Sequence, residues 1–109
     1  MSANRSNLVL HVSGDTEDLS RAVAAAESLA ISHPELRVRI IVNGPALNGL
    51  VATSDPVDIA VAETIEACAV GMRRRDIDDA SLQPGIRAVP SAITEIVDAQ
   101  LAGAAYLRI

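Results

Sequence analysis

The sequence has no lysine, no phenylalanine and no tryptophan, and it holds a single tyrosine, Tyr106, and a single cysteine, Cys68. Each shortage excludes something. One cysteine cannot form an intrachain disulfide, so the chain is no disulfide-stapled scaffold, and a reducing cytoplasm is the expected location. One cysteine and two distant histidines, His11 and His33, offer no ligand spacing, so no metal is expected. The glycines of "VNGPALNG" match neither a GxGxxG nor a Walker pattern, and no cofactor is expected. Ser13 and Ser91 lack a visible base, and no G-x-S-x-G surrounds either. Apolar runs stop short of the ~18 residues that span a bilayer. The opening "MSANRSN" has no apolar stretch of the kind a signal peptide carries. Neither a membrane nor a leader is therefore expected. All nine basic residues are arginines, and fourteen acids bring the net charge to −5. Such a chain repels a phosphate backbone, so nucleic-acid binding is not expected. The run Arg73-Arg74-Arg75 is a local exception.

What remains is aliphatic. Half of the 109 residues are hydrophobic, so the core must be built from Ala, Val, Ile and Leu. The length suits one domain, residues 1–109. Apolar residues in such excess on a small chain call for burial against other subunits, and "GPALNGLVA", 44–52, short and without a clear polar face, is the expected interface element.

The pattern along the chain alternates. "NLVLHVSG", 7–14, reads as a buried strand closed by Gly14. Asp15 or Thr16 then caps a helix whose apolar stripe is Leu19, Ala22, Val23, Ala26, Leu29 and Ala30. His33-Pro34 stops it. "LRVRIIVNG", 36–44, is a second strand. Pro45 opens a short helix, Asp55-Pro56 starts another over 56–62, and "TIEAC", 64–68, is a third strand with a helix over 69–75. "DIDDASLQPG" reads as a polar loop. "IRAV", 86–89, is a fourth strand, and Ser91 caps a helix with Ile93, Ile96, Val97 and Leu101 as its stripe. "AAYLRI" closes the chain as a fifth strand. Strands alternating with helices imply an α/β fold with a parallel sheet covered on both faces.

In such sheets ligands bind at the carboxyl ends of the strands. Those ends carry Ser13, Asn43, Gly44 and Cys68. Ser13, Asn43 and Gly44, with Arg73 beyond them, are the candidate binding residues, and Cys68 is the candidate catalytic residue. Cys68 falls where a strand ends and a helix starts, a setting that favours a thiolate. Cysteine is equally a small, often buried hydrophobe, and an arginine run is commonly a solvated face. His11, inside the first strand, reads as a satisfied histidine rather than a ligand.

Three segments, in order, resemble the DsrE/DsrF-like sulfur-relay family that includes the TusBCD proteins. "VRIIVNGPAL" is similar to its second strand and turn. "EACAVGMRRRDIDD" is similar to its cysteine segment, with Asp76 where the family has glycine. "GIRAVPSAITEIVDAQLAGAAYLRI" is similar to its tail. The resemblance implies a three-layer α/β/α sandwich around a five-stranded, mostly parallel sheet. It implies a persulfide carried on Cys68 between donor and acceptor proteins, and assembly as trimers or hexamers. Two readings stand. One is a sulfur carrier or sulfurtransferase acting through Cys68. The other is a non-catalytic subunit of the same fold that binds a small ligand or forms oligomers, with Cys68 inert.

Overall fold

The computed structural model describes residues 6–109. Five strands, β1 (Asn7–Val12), β2 (Arg37–Val42), β3 (Ile65–Cys68), β4 (Arg87–Val89) and β5 (Ala105–Arg108), form one sheet in the order β4-β3-β2-β1-β5. Every pairing is parallel. Four α-helices connect them, α1 (Thr16–Ser32), α2 (Ile59–Ala62), α3 (Ala69–Arg74) and α4 (Ala92–Leu101), with 3₁₀ helices at Gly44–Leu50 and Asp79–Ser81. The expected three-layer α/β/α architecture is the observed one.

Local chemistry explains the boundaries. Asp15 caps α1 by accepting from the amides of Glu17 and Asp18, while Asp18 reaches back to the Asp15 amide. That is a capping box built from two aspartates. Ser91 caps α4 through the Thr94 amide. The helix expected over 56–62 is only Ile59–Ala62, because Asp58 rather than Asp55 supplies the cap, accepting from Ala60 at 2.9 Å. Asp76 stands at φ +53. It ends α3 in the left-handed conformation, with the Ile77 amide donating to the Met72 carbonyl at 3.0 Å. This is a Schellman closure at a position that glycine usually takes.

The period of two along the strands divides the sheet into unlike faces. One carries Leu10, Val12, Ile40, Val42 and Ile65, and packs against α1 and the first 3₁₀ helix. Ala46, Leu47 and Leu50 of that 3₁₀ helix are fully buried. The 44–52 segment expected at a subunit interface is thus part of the core. The segment expected as a polar loop also turns inward, burying Leu82 and Gln83. The Gln83 amide nitrogen donates to the carbonyls of Gly49, Val51 and Asp55, and its oxygen accepts from the Val57 amide. That one side chain satisfies backbone groups that the short antiparallel bridge between Val51 and Leu82 leaves over.

Among the described residues, the helix that covers the other face is α4, through Ala92, Ile96 and Ala99 against Val9, Ile41 and Cys68. The stripe read from the sequence is therefore wrong by part of a turn. Ile96 is buried, but Ile93, Val97 and Leu101 are 71%, 47% and 82% exposed. Alanines, not the larger aliphatics, face the sheet, which lets the helix lie close over it. No helix among the described residues is long and apolar enough to cross a membrane.

Candidate functional site

Cys68 is the last residue of β3 and the N-cap of α3, with extended backbone. Strand direction and helix start thus coincide where the sequence places them. Its side chain joins the α4 face and is 6% exposed. Among the described residues, the one polar contact to its sulfur is the Ala92 amide, 3.4 Å away. Ala92 is the first residue of α4, so the sulfur accepts from an amide that no helical carbonyl can reach.

The neighbouring strand ends converge on the same edge. Val42 pairs with Ala67, and Val12 with Val42, which brings Asn43 and Ser13 level with Cys68. Asn43 Oδ1 lies 3.0 Å from His11 Nε2, and His11 Nδ1 lies 2.7 Å from the Tyr106 hydroxyl. With the amide oxygen as acceptor, Nε2 carries the imidazole proton and Nδ1 accepts from Tyr106. The expected satisfied histidine is therefore observed. Arg108 donates to Ser13 Oγ at 3.0 Å. Gly44 stands at φ +68, and a Cβ there would lie 2.5 Å from the Ser13 carbonyl oxygen. Glycine is what lets the loop after β2 close onto the loop after β1.

Arg73 is set apart from this group. It is exposed near the end of α3, and neither its side chain nor that of Arg74 forms an ion pair or hydrogen bond among the described residues. Arg75 turns back to the Gly71 carbonyl of its own helix at 3.3 Å. The arginine run thus complements the C-terminal end of α3.

Sequence reasoning missed the charged cluster under α4. Glu66, two residues before Cys68 and on the same face, is 1% exposed. Arg39 meets its carboxylate with two hydrogen bonds of 2.7 and 2.6 Å, and Arg87 adds a third at 3.3 Å. Arg39 also donates to Glu95 of α4 at 2.7 Å. The hydrogen bond to Glu66 holds the Arg39 guanidinium well above its ordinary range, against the opposing effect of burial and with the charges of Glu66 and Glu95 adding to it. The alternation in "RVRIIV" and "TIEAC" was the available signal, since it puts Arg39 and Glu66 on one face.

A cavity of about 650 Å³ lies elsewhere, between α1 and residues 53–58, and includes Glu17, Glu27, Asp55 and Asp58 in its lining. It shares no residue with the Cys68 edge. No cluster of three or more His, Cys, Asp or Glu that could hold a metal occurs among the described residues.

A parallel five-stranded α/β/α sandwich with one cysteine at its carboxyl edge is the class that fold and site define together. No protein-family model matches the chain, and no curated protein does. Solved structures do. A protein of unknown function from Methanobacterium thermoautotrophicum, MTH1491, superposes with a TM-score of 0.84 at 22% identity, over 94% of this chain and 98% of that one. The ychN protein from E. coli superposes with a TM-score of 0.78 at 16% identity, over 95% and 99%. Likeness at these identities shows the fold.

Proposed function

We propose that this chain is a DsrE/DsrF-like sulfur carrier or sulfurtransferase in which Cys68 holds sulfane sulfur as a persulfide. The Cys68 thiolate attacks the outer sulfur of a donor persulfide, R–S–SH. The new S–S bond forms on Cys68, the donor's S–S bond breaks, and the donor leaves as a thiolate. The sulfur passes to an acceptor thiolate by the same exchange, so no outside oxidant is consumed. The observation that carries this reading is the placement of the sulfur at the strand-end edge with the Ala92 amide aimed at it. A donor so placed can hydrogen-bond the charged sulfur of the exchange step. Asn43 and the strand-end amides beside it are the groups that would hold the outer sulfur. The reading includes a cytoplasmic setting, donor and acceptor proteins, and self-assembly as a trimer or hexamer. The exposed apolar stripe of α4 supports the last.

The second reading has its own observation. Cys68 packs among Val9, Ile41, Ala92 and Ile96, where a thiol serves as a small apolar residue and the chain is a non-catalytic binding or oligomer-forming subunit. One experiment separates the two. Reduced protein is treated with inorganic polysulfide, then briefly alkylated at neutral pH, and its intact mass is measured. The carrier gains one sulfur atom on Cys68, and the Cys68→Ser variant gains none. A native protein that takes up neither sulfur nor label until it is unfolded supports the inert reading.

A further inference from the structure

Only alanines and one isoleucine of α4 face the sheet. Such small side chains interdigitate little, so apolar packing alone sets the height of the helix over the sheet but fixes its axial position weakly. Polar ties must do that, and two of them run from β3 to the first turns of α4. One is the Cys68 sulfur to the Ala92 amide. The other is Glu66 through Arg39 to Glu95. On the strand the anchors are two residues apart, about 6.6 Å. On the helix they are three residues apart, about 4.5 Å and on nearly the same side.

Arg39 suits the bridging role because it is forked. One edge of the guanidinium grips Glu66 with two bonds, and the same terminal nitrogen continues to Glu95. A buried carboxylate beneath the thiol would by itself oppose a thiolate, but Glu66 is matched by both Arg39 and Arg87. The charged and titratable groups on this face are then Arg37 and Arg39 from β2, Glu66 from β3, Arg87 from β4, His11 from β1, Tyr106 and Arg108 from β5, and Glu95 and Asp98 from α4.

We propose that Arg39 and Glu95 are positioning residues for the Cys68 sulfur, a strut from the buried Glu66 that holds the first turns of α4 so that the Ala92 amide points at the sulfur. Its part in sulfur transfer rests on the carrier reading, because a sulfur that becomes anionic gains far more from the aim of that amide than a neutral thiol does. The strut itself is independent of sulfur transfer.

Two substitutions at Glu95 separate position from charge. Glu95→Gln and Glu95→Ala remove the same negative charge, but glutamine keeps an oxygen for Arg39 to hold. Thiol titration of the full chain is read from far-ultraviolet thiolate absorbance, with Cys68→Ser as the blank, so the readout needs no access to the sulfur. Glu95→Ala frees the first turns of α4 and weakens the Ala92 amide's hydrogen bond to the sulfur, which predicts a midpoint higher in Glu95→Ala than in Glu95→Gln by at most about one pH unit, the whole of one charge-assisted bond. Arg39→Lys keeps the charge but lacks the fork, and its midpoint moves the same way; it serves where Glu95→Ala does not fold. Equal midpoints in the Ala and Gln variants overturn the proposal, even if both are destabilised, and so does a thiol that titrates in none of the proteins. Polysulfide loading of the wild type is scored separately. A protein that takes up no sulfur while the two midpoints differ loses the carrier reading and keeps the strut.

Discussion

Cys68 combines two properties that pull apart, burial among aliphatic side chains and a polar donor aimed at its sulfur. Its place at a strand end could be read from "TIEAC" followed by a helix. Its exposure could not, since the covering residue, Ala92, lies 24 positions away on a helix whose inward face was misread. The burial changes what substitution should do. A partly exposed thiol would tolerate serine freely. Here serine keeps an acceptor for the Ala92 amide but buries a hydroxyl, which costs about 1–3 kcal/mol in mutational data before that bond offsets part of it. Alanine removes the acceptor, leaving a buried amide unpaired at about 1–3 kcal/mol and a small void besides. Urea denaturation should therefore rank wild type above Cys68→Ser and Cys68→Ala last, the serine variant within about 1 kcal/mol of wild type. Alanine as stable as serine would mean that the Ala92 amide gains nothing from the sulfur.

At the scale of elements, the ends of helices and strands carry the information that the chain hides in its interior. Caps were legible because they are local. Asp15 and Ser91 act on amides two or three residues away. The inward face of α4 was not legible, because alanine and isoleucine count alike as apolar and only the sheet beneath decides between them. Glu66 and Gln83 were missed for a related reason. Their partners, Arg39 and Arg87 for one and the 49–57 backbone for the other, are brought close only by the fold. Two loop positions in the left-handed region make opposite predictions. Asp76, at φ +53, bears a strain that glycine relieves, and the left-handed conformation costs an L-residue about 1–2 kcal/mol, less for aspartate. Asp76→Gly should raise the unfolding free energy, measured by urea denaturation, by up to about 1 kcal/mol. Gly44→Ala, at φ +68 and with its Cβ against the Ser13 carbonyl, should lower it by at least about 1–2 kcal/mol. A neutral Gly44→Ala would show that the loops after β1 and β2 separate at little cost.

For the whole molecule, the sheet divides the work. The α1 face holds most of the aliphatic core, whereas the α4 face holds the buried ions, the cysteine and the His11–Asn43–Tyr106 chain. The alternation of strands and helices was enough to foresee this architecture, since parallel strands need crossovers and crossovers cover faces. The surplus of apolar residues was also foreseen, but placed on the wrong segment. Ala46, Leu47, Gly49 and Leu50 of that segment are buried, and the surplus stands on α4 and the edge strand. Ile93, Val97 and Leu101 follow one another at four-residue spacing on the outer side of α4, and Tyr106 and Leu107 of β5 are 38% and 49% exposed. A stripe of this kind on the helix that covers the cysteine face is the surface most in need of a partner. Light scattering at micromolar concentration is expected to give a multiple of the 11.4 kDa chain mass, three or six copies if the family resemblance holds. Changing Val97 and Leu101 together to glutamine should lower that mass while leaving the far-ultraviolet dichroism unchanged, because neither side chain is buried within the subunit. A wild-type mass of one chain, unaltered on tenfold concentration, would sink the assembly. An unchanged multiple in the double variant would move the interface away from α4.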